Sequence, residues 1–236
     1  MLNTNDPVPL YKQLMDEIKE SISTGYYKPG DRLPSEIEMA KQNGVSVITA
    51  RKAVSELAKE GIVNKRQGKG TFVAVQKYKR DINQIMSFSE SCRSMGAVPG
   101  GRLLERKLMI PDGNILKELE LPPLTQVVYI SRLRFANGEP IAIEISYFPI
   151  KYAFLMEEPL DDNSLFEILD SKSNTRITKS RKSIEICWSS AKEAELLRIK
   201  KKSPLLLIHS TAYSETGQIV FAGTQLINGA RFKLRV

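Results

Sequence analysis

Residues 33–73, LPSEIEMAKQNGVSVITARKAVSELAKEGIVNKRQGKGTFV, constrain this chain most, because they set two short helix signals directly ahead of a basic hairpin pinned by glycine. Ser35 is placed to cap a helix, and Glu38, three residues on, can close a capping box. That helix carries Ile37, Met39 and Ala40 and stops near Gly44. Ser46 can cap a second helix, in which Ala50, Ala53, Val54, Leu57 and Ala58 recur at the spacing of a buried stripe and which Gly61 ends. Its opposite face holds Val47, Ile48, Arg51, Lys52 and Ser55, which is what a helix lying in a DNA major groove presents. Residues 62–66 and 71–75 then read as two strands joined by Gln67-Gly68-Lys69-Gly70. Taken alone, this is an ordinary surface hairpin whose glycines supply positive φ. Behind two such helices it reads as a wing, whose backbone and Lys69 approach phosphates or the minor groove because glycine leaves no side chain in the way.

Charge is distributed to match. Residues 1–42 carry 5 basic and 7 acidic side chains, a balance of −2, whereas residues 43–80 carry 9 basic and 2 acidic, a balance of +7. Nearly all of the formal net charge of +8 therefore sits beside the second helix and the hairpin. A solvated basic face explains many such runs, but in this order of elements the charge points to nucleic acid. Ahead of these elements, Leu10, Leu14, Ile18 and Ile22 form one face of a helix that must bury its stripe against the other two. Residues 26–30 make the turn between them.

The remaining chain alternates strand-like and helical pieces. Residues 101–109, 127–137, 141–148, 177–186, 205–213, 220–226 and 232–236 read as strands, several joined by turns such as Asn137-Gly138 and Thr216-Gly217. Residues 85–95, 113–119, 164–170 and 191–197 read as helices. The class is α+β, dominated by antiparallel hairpins. The domain reading is a winged helix-turn-helix over 1–75, a polar and basic linker over 76–82, and a second domain over 83–236. At 236 residues both have enough chain to bury a core. No apolar run reaches the length of a membrane span and no secretory signal is evident, so a cytoplasmic protein with no membrane partner is expected. Cys92 and Cys187 are too few and too far apart for a metal cluster or disulfide scaffold, and no metal or cofactor is expected. His209, within LLLIHSTAY, reads as a strand histidine with a local hydrogen bond.

From Pro9 to Val73 the chain closely resembles the winged helix-turn-helix of GntR-type bacterial transcription regulators, through PLYKQL, GDRLPSE, GVS, TARKAVSELAKEGIV and GKGTFV. From about Ile82 onward it resembles, more loosely, the effector-binding UTRA domain of the HutC subfamily, through SFSE, RLRFANGEPIAIE, NSLFEIL and AGTQLINGARFKLRV. The resemblance implies a chorismate-lyase-like, mainly antiparallel sheet for the second domain, and a homodimer on double-stranded operator DNA. It places Ser46, Val47, Ile48, Thr49, Arg51 and Lys52 on DNA from the second helix, Ser35 and Thr71 on phosphate, and Arg66, Lys69 and Gly70 on DNA from the wing. Three departures matter. Ile37 and Val47 stand where many relatives have guanine-reading arginines, and Asn228-Gly229-Ala230-Arg231-Phe232 replaces a pattern closer to Arg-Gly-Asp-Arg-Tyr, so that Phe232 lacks a hydroxyl.

In the second domain, Arg132 and Arg134 fall on one strand face with Val128 and Ile130. Two guanidinium groups on a largely apolar face need an anion or carboxylates. The residues alone leave two readings, an anionic effector or a salt-bridged pair with Glu144 as partner. The resemblance favours the effector, held by Ser87, Phe88, Ser89, Arg132, Arg134, Glu144, Ser164 and Phe166. The expectation is thus an effector-responsive repressor, released from DNA by a small anionic metabolite such as a phosphorylated sugar or amino sugar. The alternatives are an enzyme with a chorismate-lyase-like domain, or a sequence-independent DNA-binding protein. No histidine, cysteine or carboxylate constellation with catalytic spacing supports the enzyme.

Overall fold

The computed structural model describes residues 2–3, 6–74, 78–229 and 231–235. The chain divides into two compact units, Met1–Gln76 and Lys77–Val236.

In the first unit, helix α1 (Leu10–Ser23), α2 (Glu36–Asn43) and α3 (Val47–Lys59) precede an antiparallel hairpin of β1 (Val63–Arg66) and β2 (Gly70–Val73). The helix boundaries follow the side-chain chemistry. Ser35 and Glu38 make both bonds of a capping box, Gly44 closes α2 in the left-handed region, and the Ser46 side chain accepts from the Thr49 amide. Leu14 and Ile18 of α1 pack with Leu33, Met39, Ala50, Val54, Leu57, Val63 and Val73 in a single core, with Ile22 partly buried against it. The strand expected over 71–75 ends at Val73, and its last position lies outside the described residues.

The second unit is built on a six-stranded antiparallel sheet, ordered β4-β5-β6-β9-β8-β7. The strands are β4 (Pro99–Met109), β5 (Val127–Ala136), β6 (Glu139–Pro149), β7 (Ile177–Trp188), β8 (Pro204–Ser214) and β9 (Ile219–Asn228). Asn137 and Gly138 both take positive φ, 51° and 76°, as the tight β5–β6 turn requires. Around the sheet lie α4 (Phe88–Ser94), α5 (Gly113–Glu118), α6 (Leu165–Ser173) and α7 (Ala191–Leu196), with a 3-10 helix at Ile150–Met156 that periodicity did not announce.

Two expectations need correction. The helix expected over 85–95 begins only at Phe88, because Ser87 and Glu90 form a capping box that sets its first turn there. The stretch read as linker, 76–82, holds a strand, β3 (Tyr78–Asp81), paired in parallel with β10 (Phe232–Arg235); residues 76–77 lie outside the described residues. Parallel pairing uses backbone groups alone, so a polar, basic composition gave no sign of it. Position 236 of the last expected strand also lies outside the described residues.

Candidate functional site

On the first unit, a groove runs between the start of α2, the start of α3 and the wing. Of the residues expected on DNA, Ser35, Val47, Arg51, Arg66, Gly70 and Thr71 line it. Ser46, Ile48, Thr49, Lys52 and Lys69 lie off its walls. Arg32, Glu36, Ile37 and Lys65 line it without having been assigned a contact. Several side chains already have partners. The Ser35 hydroxyl caps α2, and Ser46 and Thr49 hydroxyls pair at 2.8 Å. The Lys52 ammonium lies 4.0 Å from the ring centroid of Tyr11 on α1, which turns it toward that helix and off the groove wall. The Arg66 guanidinium stacks 4.6 Å over Phe72. Ile37 and Ile48 are 69% and 77% exposed, so neither belongs to the core. At the wing tip Gly70 takes φ +108°, and a Cβ there would sit 2.9 Å from Arg32 Nε. A side chain at Gly70 would be strained and would crowd that arginine.

The second unit brings all eight residues expected on the effector, Ser87, Phe88, Ser89, Arg132, Arg134, Glu144, Ser164 and Phe166, around one chamber. Strand register does most of this. Arg132 on β5 stands opposite Glu144 on β6, which stands opposite Gln225 on β9, so the three side chains form a row across adjacent strands. Arg132 Nη2 donates to Glu144 Oε2 at 2.5 Å and its Nη1 to the Asn163 carbonyl at 3.0 Å; Gln225 Nε2 donates to Glu144 Oε1 at 2.9 Å. Arg134, two residues along the same face, donates to the Ser89 hydroxyl at 3.2 Å and lies 4.4 Å over the Phe88 ring. Both arginines are almost wholly buried. The salt-bridge reading and the anion reading thus both have a place: Glu144 satisfies part of Arg132, while Arg132 Nε, Arg134 Nε and Arg134 Nη1 have no hydrogen-bond acceptor among the described residues.

Electrostatics follow from this crowding. Burial alone would push the Glu144 carboxyl up, but Arg132 and Arg134 nearby, with the Gln225 amide, hold its pKa at about 2. Burial lowers the Arg134 pKa to about 10, with Glu144 opposing and Arg132 reinforcing the shift. The serines serve mainly as scaffold. Ser87 and Ser164 cap α4 and α6 through their hydroxyls, and the first residues of both helices line the chamber with the arginines.

Several chamber residues were missed. Gly101 on β4 pairs with Arg134, and a Cβ on it would sit 2.5 Å from Arg134 Nη1; the glycine is what leaves room for the guanidinium. Ser146 and Phe221 also line the chamber, and with Phe88, Glu144 and Phe166 they are shared by an adjoining cavity. That cavity has apolar walls of Ile85, Met86 and Ile177 and polar points at Ser180, Ser210 and Thr224. Strand pairing brings Gly101 against Arg134 and Ser146, Ser180, Ser210, Phe221 and Thr224 to these walls, and Ile85 and Met86 reach them from the segment ahead of α4, so spacing along the chain could not announce them. Phe232 is buried with Phe88, Cys92 and Ala97 in the core. His209, the strand histidine, pairs with Glu185 at 3.1 Å, and Cys92 and Cys187 are not joined in a disulfide. Among the described residues, no group of three or more His, Cys, Asp or Glu could hold a metal, and no helix is long and apolar enough to cross a membrane.

Comparison with known proteins matches both units. Residues 10–73 match the pattern of bacterial regulatory proteins of the gntR family, and residues 94–233 match the UTRA domain. The HTH-type transcriptional repressor NagR of Bacillus subtilis is 32% identical over 231 residues, covering 98% of this chain and 95% of that protein. The mannosyl-D-glycerate transport/metabolism system repressor MngR of Escherichia coli is 28% identical, covering 89% of this chain and 88% of that protein. Among solved structures, PhnF from Mycobacterium smegmatis shares the fold with a TM-score of 0.68 at 24% identity, over 94% of this chain and 98% of that one. Both units are matched in order and nearly end to end, and the chain therefore belongs to the GntR family of bacterial regulatory proteins, a DNA-binding transcription regulator with a UTRA effector domain and not an enzyme.

Proposed function

We propose that this protein is a cytoplasmic, homodimeric repressor whose second unit binds a small anionic metabolite, a phosphorylated sugar or amino sugar, and thereby releases operator DNA. The observation that carries the anion is the set of three buried guanidinium N–H donors that lack an acceptor among the described residues. Leaving such donors unmet is costly, and a phosphate supplies several acceptor oxygens at once. The capped first turns of α4 and α6 flank the same chamber and favour negative charge. The relative MngR, a mannosyl-D-glycerate transport/metabolism system repressor, supports a sugar derivative. The hydroxyls of Ser146, Ser180 and Ser210, set among aromatic and aliphatic walls, suit a sugar body next to its anionic group.

Thermal-shift screening of the full chain against phosphorylated sugars, amino sugars, their unphosphorylated parents and inorganic phosphate tests this reading. Stabilisation by a phosphorylated sugar, together with its release of the protein from operator DNA, is the expected pair of results. Stabilisation by the neutral parents alone would sink the anion.

On the DNA side, α3 is read as the groove helix, with Ser35 and Thr71 near phosphate and Ser46, Thr49, Lys52, Arg66, Lys69 and Gly70 around it. Log K is expected to fall steeply with log salt, by about 0.9 for each phosphate contact. Arg51→Ala is expected to weaken operator binding far more than Arg102→Ala, measured by fluorescence anisotropy. Val47 and Ile48 carry no charge, and both are exposed at the start of α3. They suit the methyl group of thymine. Selecting randomised duplexes with the wild type and with Val47→Arg is expected to show a shift toward guanine at one position, since arginine can pair with its O6 and N7. Identical selected sequences would remove Val47 from the groove.

A further inference from the structure

Glu36 is the first residue of α2, yet its carboxylate serves two other elements. Its Oε2 accepts from Arg51 Nε at 3.0 Å and its Oε1 from Lys65 Nζ at 2.9 Å, so α2, α3 and β1 meet at one acidic group. Lys65 and Arg51 hold that carboxyl below its ordinary pKa although burial pushes it up. All three side chains line the groove of the first unit.

A carboxylate on a phosphate-facing surface repels DNA, so its value has to lie in what it does to its partners. Arg51 is the one arginine of α3, and its side chain is otherwise 66% exposed. An arginine carries five N–H donors in a planar fork. Engaging Nε leaves the two terminal nitrogens in fixed directions, and these are the pair that can meet guanine O6 and N7 together. A side chain held in place beforehand loses less freedom on binding than one that must be ordered then. Lys65, held on the other oxygen, fixes the carboxylate from the wing side.

We propose that Glu36 is a positioning residue for sequence reading, holding Arg51 with its terminal nitrogens presented to a base edge while its own charge weakens binding to DNA that offers no match. This rests on the reading of α3 as the groove helix.

The test uses the full chain, a duplex that the wild type selects from a randomised pool, and a scrambled duplex, with anisotropy titrations at several salt concentrations. Glu36→Gln is expected to weaken binding to the selected duplex by about tenfold, the scale of one lost bidentate base contact, and to leave or strengthen binding to the scrambled one. In an Arg51→Lys background, where the fork is gone but the charge remains, the same change is expected to move the ratio by less than about twofold, since coupled sites are not additive. Equal weakening on both duplexes, or an undiminished effect in that background, would overturn the proposal. If Glu36→Gln lowers the melting midpoint, Glu36→Asp keeps negative charge at the helix start but is one methylene short of its partners, and the same loss of discrimination is expected from it. Arg51→Ala separates the two levels. If it leaves binding to the selected duplex unchanged, the groove reading falls and the proposal with it; if it abolishes binding while Glu36→Gln is silent, the proposal falls alone.

Discussion

Arg134→Ala is expected to give a repressor that binds its operator as the wild type does and no longer releases it. The guanidinium is 1% exposed, and two of its nitrogens have no acceptor among the described residues. Its loss removes a charge-assisted contact of roughly 1.5–3 kcal/mol to an anion, which weakens effector binding by about tenfold to a hundredfold. It should cost the unliganded fold little. A buried cation whose donors are only partly met is a weak source of stability, and the space it leaves adjoins a polar chamber that water can enter. Operator titrations with and without the effector identified by thermal shift check this. Operator affinity within about twofold of wild type, with the release curve moved to higher effector concentration, is the expected result. Loss of operator binding in the absence of effector would make Arg134 a structural residue.

The chamber's residues were legible in the sequence partly through local chemistry and, for the choice of effector over salt bridge, through the resemblance to UTRA domains. Serine followed three residues on by glutamate marks a helix start, and that signal stands at both Ser87 and Ser164, although the first of these helices was expected from 85. Period-two alternation put Arg132 and Arg134 on one face, and both line the same chamber, although β5 is buried on both faces. What escaped depends on register. Nothing in the spacing of Arg132, Glu144 and Gln225 says that three strands align them, and a glycine at 101 reads as an ordinary strand residue until Arg134 is found against it. The same limit applied to the DNA face. Helical phase placed Arg51 and Lys52 side by side, yet one bonds Glu36 and the other lies over Tyr11, because α1 and α2 pack on different sides of α3. Strand β3 escaped for a different reason, since backbone pairing leaves no mark on composition.

Arg132→Ala is expected to act on folding first, in contrast to its neighbour. Its guanidinium and the Glu144 carboxylate form a pair whose side chains are 3% and 14% exposed. Removing the cation leaves Glu144 ionised and buried with Gln225 and the more distant Arg134 for company. Breaking such a pair from one side costs about 3–5 kcal/mol, and the melting midpoint should fall by roughly 10 °C or more. Adding Glu144→Gln removes the stranded charge and should recover much of that loss, which a general packing defect would not allow. Acid titration gives an independent reading. The Glu144 pKa is depressed in the fold, from 4.5 to about 2, so the group contributes stability above about pH 4.5 that is lost as pH falls toward 2. Urea unfolding of the wild type should therefore show stability declining across that window, and Glu144→Gln should flatten this part of the profile. In Arg132→Ala the depression is lost, and protonation relieves the stranded carboxylate. The gap between wild type and variant should then narrow as the solution is acidified, and a gap that stays constant across the window would mean that the pair is not what the variant has broken.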